Sequence, residues 1–84
     1  MEFQAPTKPR RTDGKIRDAL DLGETIRERR KELELTQVQL AKSCRCSPRF
    51  IGELERGMAG GNIKQVIRVC HELGIDLYAR VRGA

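Results

Sequence analysis

Residues 35–57 read LTQVQLAKSCRCSPRFIGELERG, and two helix starts lie inside them. Thr36-Gln37-Val38-Gln39 is a capping box, in which the threonine hydroxyl accepts an orphan backbone N–H and the glutamine side chain returns to the cap's own N–H. Ser47-Pro48 is a stronger signal, since serine caps well and proline at the first helical position gives up no hydrogen bond and presets φ. One helix is therefore predicted from Thr36 to near Ser43 or Cys44, and another from Pro48 to about Arg56, closed by Gly57. So few residues separate the two that they must cross steeply, as a helix-turn-helix. Leu40 and Ala41 fall on the inner face of the first and Ile51 and Leu54 on that of the second, with Cys44 and Cys46 flanking the turn. Ala41 is small where a close crossing asks for a small residue.

The same run resembles the helix-turn-helix of the XRE family, which includes the lambdoid phage repressors. The resemblance rests on Leu35-Thr36-Gln37, Leu40-Ala41, the capping Ser47, Ile51 and the closure Glu53 to Gly57. One departure is Arg45, where the family usually has glycine in the turn; an arginine in a left-handed conformation costs about 1 kcal/mol and sets a cation beside the turn. Three-and-four spacing places Arg49, Gly52, Glu53 and Arg56 on one face of the second helix, opposite Ile51 and Leu54. The resemblance implies that this face enters the major groove of DNA. It implies Arg49 as a bidentate reader of guanine, Glu53 as an acceptor from cytosine or an orienter of Arg49, and Ser47 and Pro48 as edge or methyl contacts. Gln37 and Arg56 match phosphate contacts, whereas Glu55 is expected to bond within the helix pair. Gly52 either lets backbone approach the groove or is a tolerated mid-helix glycine.

Working outward, a helix capped by Asp18 or Asp21 is predicted to run to about Leu33, with Leu22, Ile26 and Leu33 on one stripe. Arg27, Arg29, Arg30 and Lys31, interleaved with Glu24, Glu28 and Glu32, read as its solvated face. After the loop 58–61, Asn62-Ile63-Lys64-Gln65 opens a fourth helix whose apolar face is Ile63, Val66, Ile67, Cys70 and Leu73, ended by Gly74. Beyond it Ile75, Leu77, Ala79 and Val81 alternate with Asp76, Tyr78, Arg80 and Arg82, the period of a strand. No other segment alternates in this way, and a lone strand is not stable, so pairing with the same strand of a second copy is expected, through Ile75, Leu77, Tyr78, Ala79 and Val81. Four short helices followed by such a strand are similar to the HipB-like antitoxins. That likeness implies a homodimer on a palindromic operator, autorepression, and a HipA-like kinase toxin as partner.

The expected organisation is thus a basic arm over 1–17, a DNA-binding domain over 18–74 and a dimerising strand over 75–84. The fold class is all-α, a lambda-repressor-like helix-turn-helix domain of four helices with a C-terminal strand. The arm holds Lys8, Arg10, Arg11, Lys15 and Arg17 against Glu2 and Asp13, more than half of the chain's net charge of +5. It reads as disordered, either a solubilising tail or an arm touching DNA. With 84 residues, 38% hydrophobic and only 4% aromatic, the chain can bury only a thin aliphatic core. Three cysteines, an odd number with no secretory segment, suggest a reducing cytoplasm, with the protein lying on the nucleoid.

Cys44, Cys46, Cys70 and His71 form a possible zinc set, but the turn cysteines occupy positions that need apolar groups and read as core. No metal, cofactor or membrane segment is expected. His71 and Cys70 diverge on a helix and make no nucleophile and base pair, so no enzyme is expected either. Phe3, Phe50 and Tyr78 are too few for single-stranded RNA stacking. A stand-alone or phage-type regulator of the same fold, and a protein-binding module without specific DNA affinity, remain as other readings.

Overall fold

The computed structural model describes residues 14–60 and 62–83. Most of the expected basic arm, residues 1–13, lies outside them, as does Gly61 of the predicted loop. Within them run four helices, α1 (Ala19–Glu32), α2 (Gln37–Cys44), α3 (Pro48–Glu55) and α4 (Ile63–Glu72). Each begins where a short polar side chain takes an orphan N–H: Asp18 from Asp21, Thr36 from Gln39, Ser47 from Phe50 and Asn62 from Gln65. The box at Thr36 is complete, since Gln39 Oε1 accepts the Thr36 N–H at 2.8 Å. At Asn62 only half of it forms, because the Asn62 N–H goes to the Gly60 carbonyl instead.

The helix ends share one device. In each, an N–H just past the helix reaches back five residues to a carbonyl near its end: Leu35 to Arg30, Cys46 to Ala41, Met58 to Glu53 and Ile75 to Cys70. The residue between must turn left-handed for this bond to close. Gly57 and Gly74 do so without cost at φ 74 and 71, but the other two positions hold Glu34 at φ 59 and Arg45 at φ 58. Arg45 therefore carries the strain expected of it, and Glu34 carries the same strain with no warning in the sequence.

The core is nine buried residues, Ile26 from α1, Leu40, Ala41 and Cys44 from α2, Ile51 and Leu54 from α3, and Val69, Cys70 and Leu73 around α4. Leu33 is exposed rather than on the buried stripe, because α1 ends before it and the chain turns away at Glu34. On α4 the inward residues are Val66, Val69, Cys70 and Leu73, a three-and-four set that includes Val69, which the sequence reading left out. Ile67 stands about 100° round the helix from Val66, and with Ile63 it faces outward.

Among the described residues there is no strand. Among the described residues, 75–81 meet no second extended segment to pair with, and the alternation there makes no ladder with any of them. Ile75 is half-buried on the domain's own core and its N–H closes the end of α4, whereas Leu77, Tyr78, Ala79 and Val81 are exposed, Tyr78 at 90%. No helix among the described residues is long and apolar enough to cross a membrane.

α1 crosses α3 at Gly23, which is buried. A Cβ there would stand 2.6 Å from the Glu55 carbonyl oxygen and closer still to that of Leu54, so the crossing exists only because the residue is glycine. Gly57 faces a second restriction: its left-handed φ is joined by Leu20 backbone atoms within 2.9 Å of any added Cβ. Gly52 differs, since a Cβ on it meets only side-chain atoms of Arg56 and Gln37 at 3.4 and 3.7 Å. Gly23→Ala should therefore destabilise the domain by roughly 1–3 kcal/mol, whereas Gly52→Ala, relieved of glycine's entropy in a helix, should be neutral or stabilise by about 0.5–1 kcal/mol. Urea denaturation of the two variants beside the parent measures both.

Candidate nucleic-acid interface

The surface formed by α2, the turn and α3 is held from behind by a buried ion pair. Arg30, in the last turn of α1, donates Nε to Glu55 Oε2 at 2.6 Å and a terminal nitrogen to Oε1 at 3.1 Å. The two side chains are only 10% and 3% exposed. The other terminal nitrogen of Arg30 donates to the Leu35 carbonyl at 2.8 Å, in the link between α1 and α2. Gln37, the first residue of α2, donates Nε2 to Glu55 Oε1 at 3.1 Å. Both carboxylate oxygens are thus bonded, and no buried side-chain nitrogen or oxygen among the described residues lacks a partner.

This arrangement decides what the surface presents. Glu55 bonds inward as expected, to Gln37 on the neighbouring helix and also to α1. Gln37 is half-buried, and its amide and the Arg56 guanidinium both flank the bare Cα of Gly52. Gly52 is therefore where α2 and the end of α3 each bring a polar side chain against the same Cα. Along the rest of the face Arg45, Ser47, Pro48 and Arg49 follow one another in the turn and the first residues of α3, all exposed. Arg49 has an 86% exposed side chain whose Nε donates to Glu53 Oε2 at 3.1 Å, one turn along α3.

The sequence names these residues as candidates but does not name what supports them. Arg30 was assigned to the solvated face of α1, and it is buried. A signal was present, because Arg30 falls four residues after Ile26 and so on the same inward stripe. Gly23 was likewise legible as a mid-helix glycine, a residue that costs about 1 kcal/mol against alanine and so asks for a packing reason.

The cysteines are part of the core side of this unit. Burial, with smaller contributions from Cys46 and Glu72, pushes the Cys44 thiol up to about 11, and burial raises Cys46 and Cys70 as well. All three are protonated near neutral pH and pack as small apolar groups. Among the described residues no three His, Cys, Asp or Glu side chains are grouped to hold a metal ion.

Removing one partner of a buried ion pair strands the other without compensation, so Glu55→Ala should cost about 3–5 kcal/mol. The double substitution Arg30→Met, Glu55→Leu should recover most of that loss, and thermal or urea unfolding of the single and double variants checks the coupling.

Comparison with known proteins places this geometry. The helix-turn-helix family model HTH_3 matches residues 26–79. The fold is shared with a solved structure described as "MDT Protein" at a TM-score of 0.72 and 18% identity, covering 81% of this chain and 96% of that one. It is shared equally with the "HipB-O4 20mer complex", at a TM-score of 0.71, 18% identity and the same coverage. The comparison with curated proteins gives no match. The family match runs over more than half of the chain, from the buried Ile26 through the whole surface between Gln37 and Arg56, and the chain belongs to the XRE-type helix-turn-helix family of DNA-binding regulators.

Proposed function

We propose that the protein is a sequence-specific transcriptional repressor that occupies a palindromic operator as a homodimer. We further read it as the HipB-like antitoxin and autorepressor of a toxin–antitoxin operon, acting in the cytoplasm on the nucleoid with a HipA-like kinase as protein partner. The observation that carries the DNA reading is the layout of one face: Gln37 and Arg56 flanking Gly52 at one end, and exposed Arg45, Ser47, Pro48 and Arg49 at the other. Backbone phosphates are met by the Gln37 amide, the Arg56 guanidinium and Arg45. The first residues of α3 then reach base edges, Ser47 and Pro48 by edge or methyl contact and Arg49 through the acceptors of guanine. The likeness in fold to HipB in its 20mer complex supports the antitoxin reading.

Dimerisation is assigned to residues 75–84, outside the binding domain of 18–74 and the basic arm of 1–17. Exposed Leu77, Tyr78, Ala79 and Val81 lie on a segment without ladder bonds to the other described residues, the state in which it can pair with its copy across a two-fold axis. Two-fold symmetry then sets the half-sites about 34–36 Å apart, or a multiple of that, one turn of the double helix.

Fluorescence anisotropy with a duplex from the gene's own upstream region, against a shuffled duplex near physiological salt, tests the reading. A preference of about 10³ or more is expected; equal, weak and salt-sensitive binding to both would overturn it. Within that assay Arg49→Ala should cost about 1–3 kcal/mol and relax preference at one base pair, while Arg56→Ala weakens both duplexes alike and lowers the salt slope by about 1. Truncation after Gly74 should give monomers with much weaker operator binding, and a tight dimer in sedimentation would show that the C-terminal segment does not hold the two copies together.

A further inference from the structure

The geometry points to Glu53 as a positioning residue for base selection: by taking the Nε of Arg49 it aims the arginine's terminal nitrogens at a base and withholds its charge from the phosphates. This rests on the DNA-binding reading above and assigns a part to a residue that reads no base itself.

Arg49 is the second residue of α3 and extends from its exposed end. Unrestrained, such a side chain swings freely, and beside DNA the nearest strong acceptors are phosphate oxygens, which carry no sequence information. Here its Nε is bonded to Glu53 Oε2 at 3.1 Å, and among the described residues its two terminal nitrogens have no other partner. A guanidinium held by Nε presents those two nitrogens as a parallel pair. Guanine offers two adjacent acceptors, O6 and N7, that match the pair, while adenine replaces one acceptor with a donor. Fixing the fork therefore raises the penalty for a wrong base.

Charge works in the same direction. Glu53 is itself only about one-third exposed, so its carboxylate stays with α3 and does not swing out of the interface. A carboxylate held at the groove repels phosphates wherever Arg49 is drawn toward them, and is tolerated where Arg49 is engaged with a base. The residue thus weakens binding to arbitrary DNA more than binding to the preferred site. Its neighbour in sequence, Glu55, cannot do this, because both its oxygens are spent on Arg30 and Gln37 behind the surface.

The test uses the full chain and a randomised duplex library, followed by titrations on the selected and a scrambled duplex across salt. Glu53→Ala should raise affinity for the scrambled duplex about tenfold at low salt and steepen its salt slope by about 1, as Arg49 becomes free to neutralise a phosphate. It should also flatten preference at the same base pair that Arg49→Ala flattens, and have no further effect on preference in the Arg49→Ala background. Glu53→Gln, which keeps an acceptor for Nε but not the charge, should raise affinity for the scrambled duplex while retaining most of the base preference. A change of preference at a different base pair would make Glu53 a reader in its own right and overturn the inference, as would a preference that Glu53→Ala leaves intact. If the parent chain selects no duplex from the library, the DNA-binding reading falls and the inference with it. Equal melting curves for the variants separate these outcomes from loss of fold.

Discussion

The bonds of Arg30 to Glu55 and to the Leu35 carbonyl tie together parts of the chain that helix packing alone would leave free to slide. Arg30 lies in the last turn of α1, Leu35 in the link to α2, Gln37 begins α2 and Glu55 ends α3, and all four meet in one hydrogen-bonded group. The Leu35 N–H also returns to the Arg30 carbonyl, so the link is clamped by Arg30 through both backbone and side chain. A buried pair of this kind is weak evidence of net stability, because desolvating two ions offsets most of their attraction. What it supplies is registry: a nonpolar contact tolerates small shifts, whereas a fork of three donors on fixed acceptors does not. The placing of Gln37 and Arg56 on either side of Gly52 depends on that registry, since Gln37 belongs to α2 and Arg56 caps α3.

The demand on registry is high because the core is small. Nine buried residues, of which two are cysteine and one alanine, leave little shape to fix how four short helices lie on one another. Close approach substitutes for bulk. Gly23 lets α1 rest directly on the carbonyls of Leu54 and Glu55, which places the end of α3 within reach of Arg30. The glycine and the ion pair are thus two parts of one contact, and neither would serve alone.

Local features were legible in the sequence. Four N-caps, the proline opening α3, the ends at Gly57 and Gly74 and the inward positions of Leu40, Ala41, Ile51 and Leu54 all depend on residues within one or two turns of each other, and the structure has them as expected. What sequence reasoning missed depends on distant partners. Nothing near Arg30 announces a carboxylate twenty-five positions later, and its charged neighbours made a solvated face the simpler reading. Glu34 adopts a left-handed φ because of where the chain must go next, and a glutamate gives no sign of that. The outward turn of Ile63 and Ile67 follows from which side of α4 meets α2, a choice that an apolar stripe on both sides leaves open.

The acidic residues of α3 show how a domain of modest positive charge can present a surface suited to a polyanion. Glu53 and Glu55 are two positions apart, so they point to different sides of the helix. Had both stayed in solvent, their charge would cancel much of what Arg49 and Arg56 contribute. Burying Glu55 against Arg30 removes one carboxylate from the face while satisfying both its oxygens, and because Gln37 shares it, the same carboxylate steadies a residue at the edge of that face. Glu53 stays at the surface tied to Arg49 one turn away, so its charge is kept beside a cation of the same helix. The face gains its positive character less from an excess of cations than from where its anions are kept.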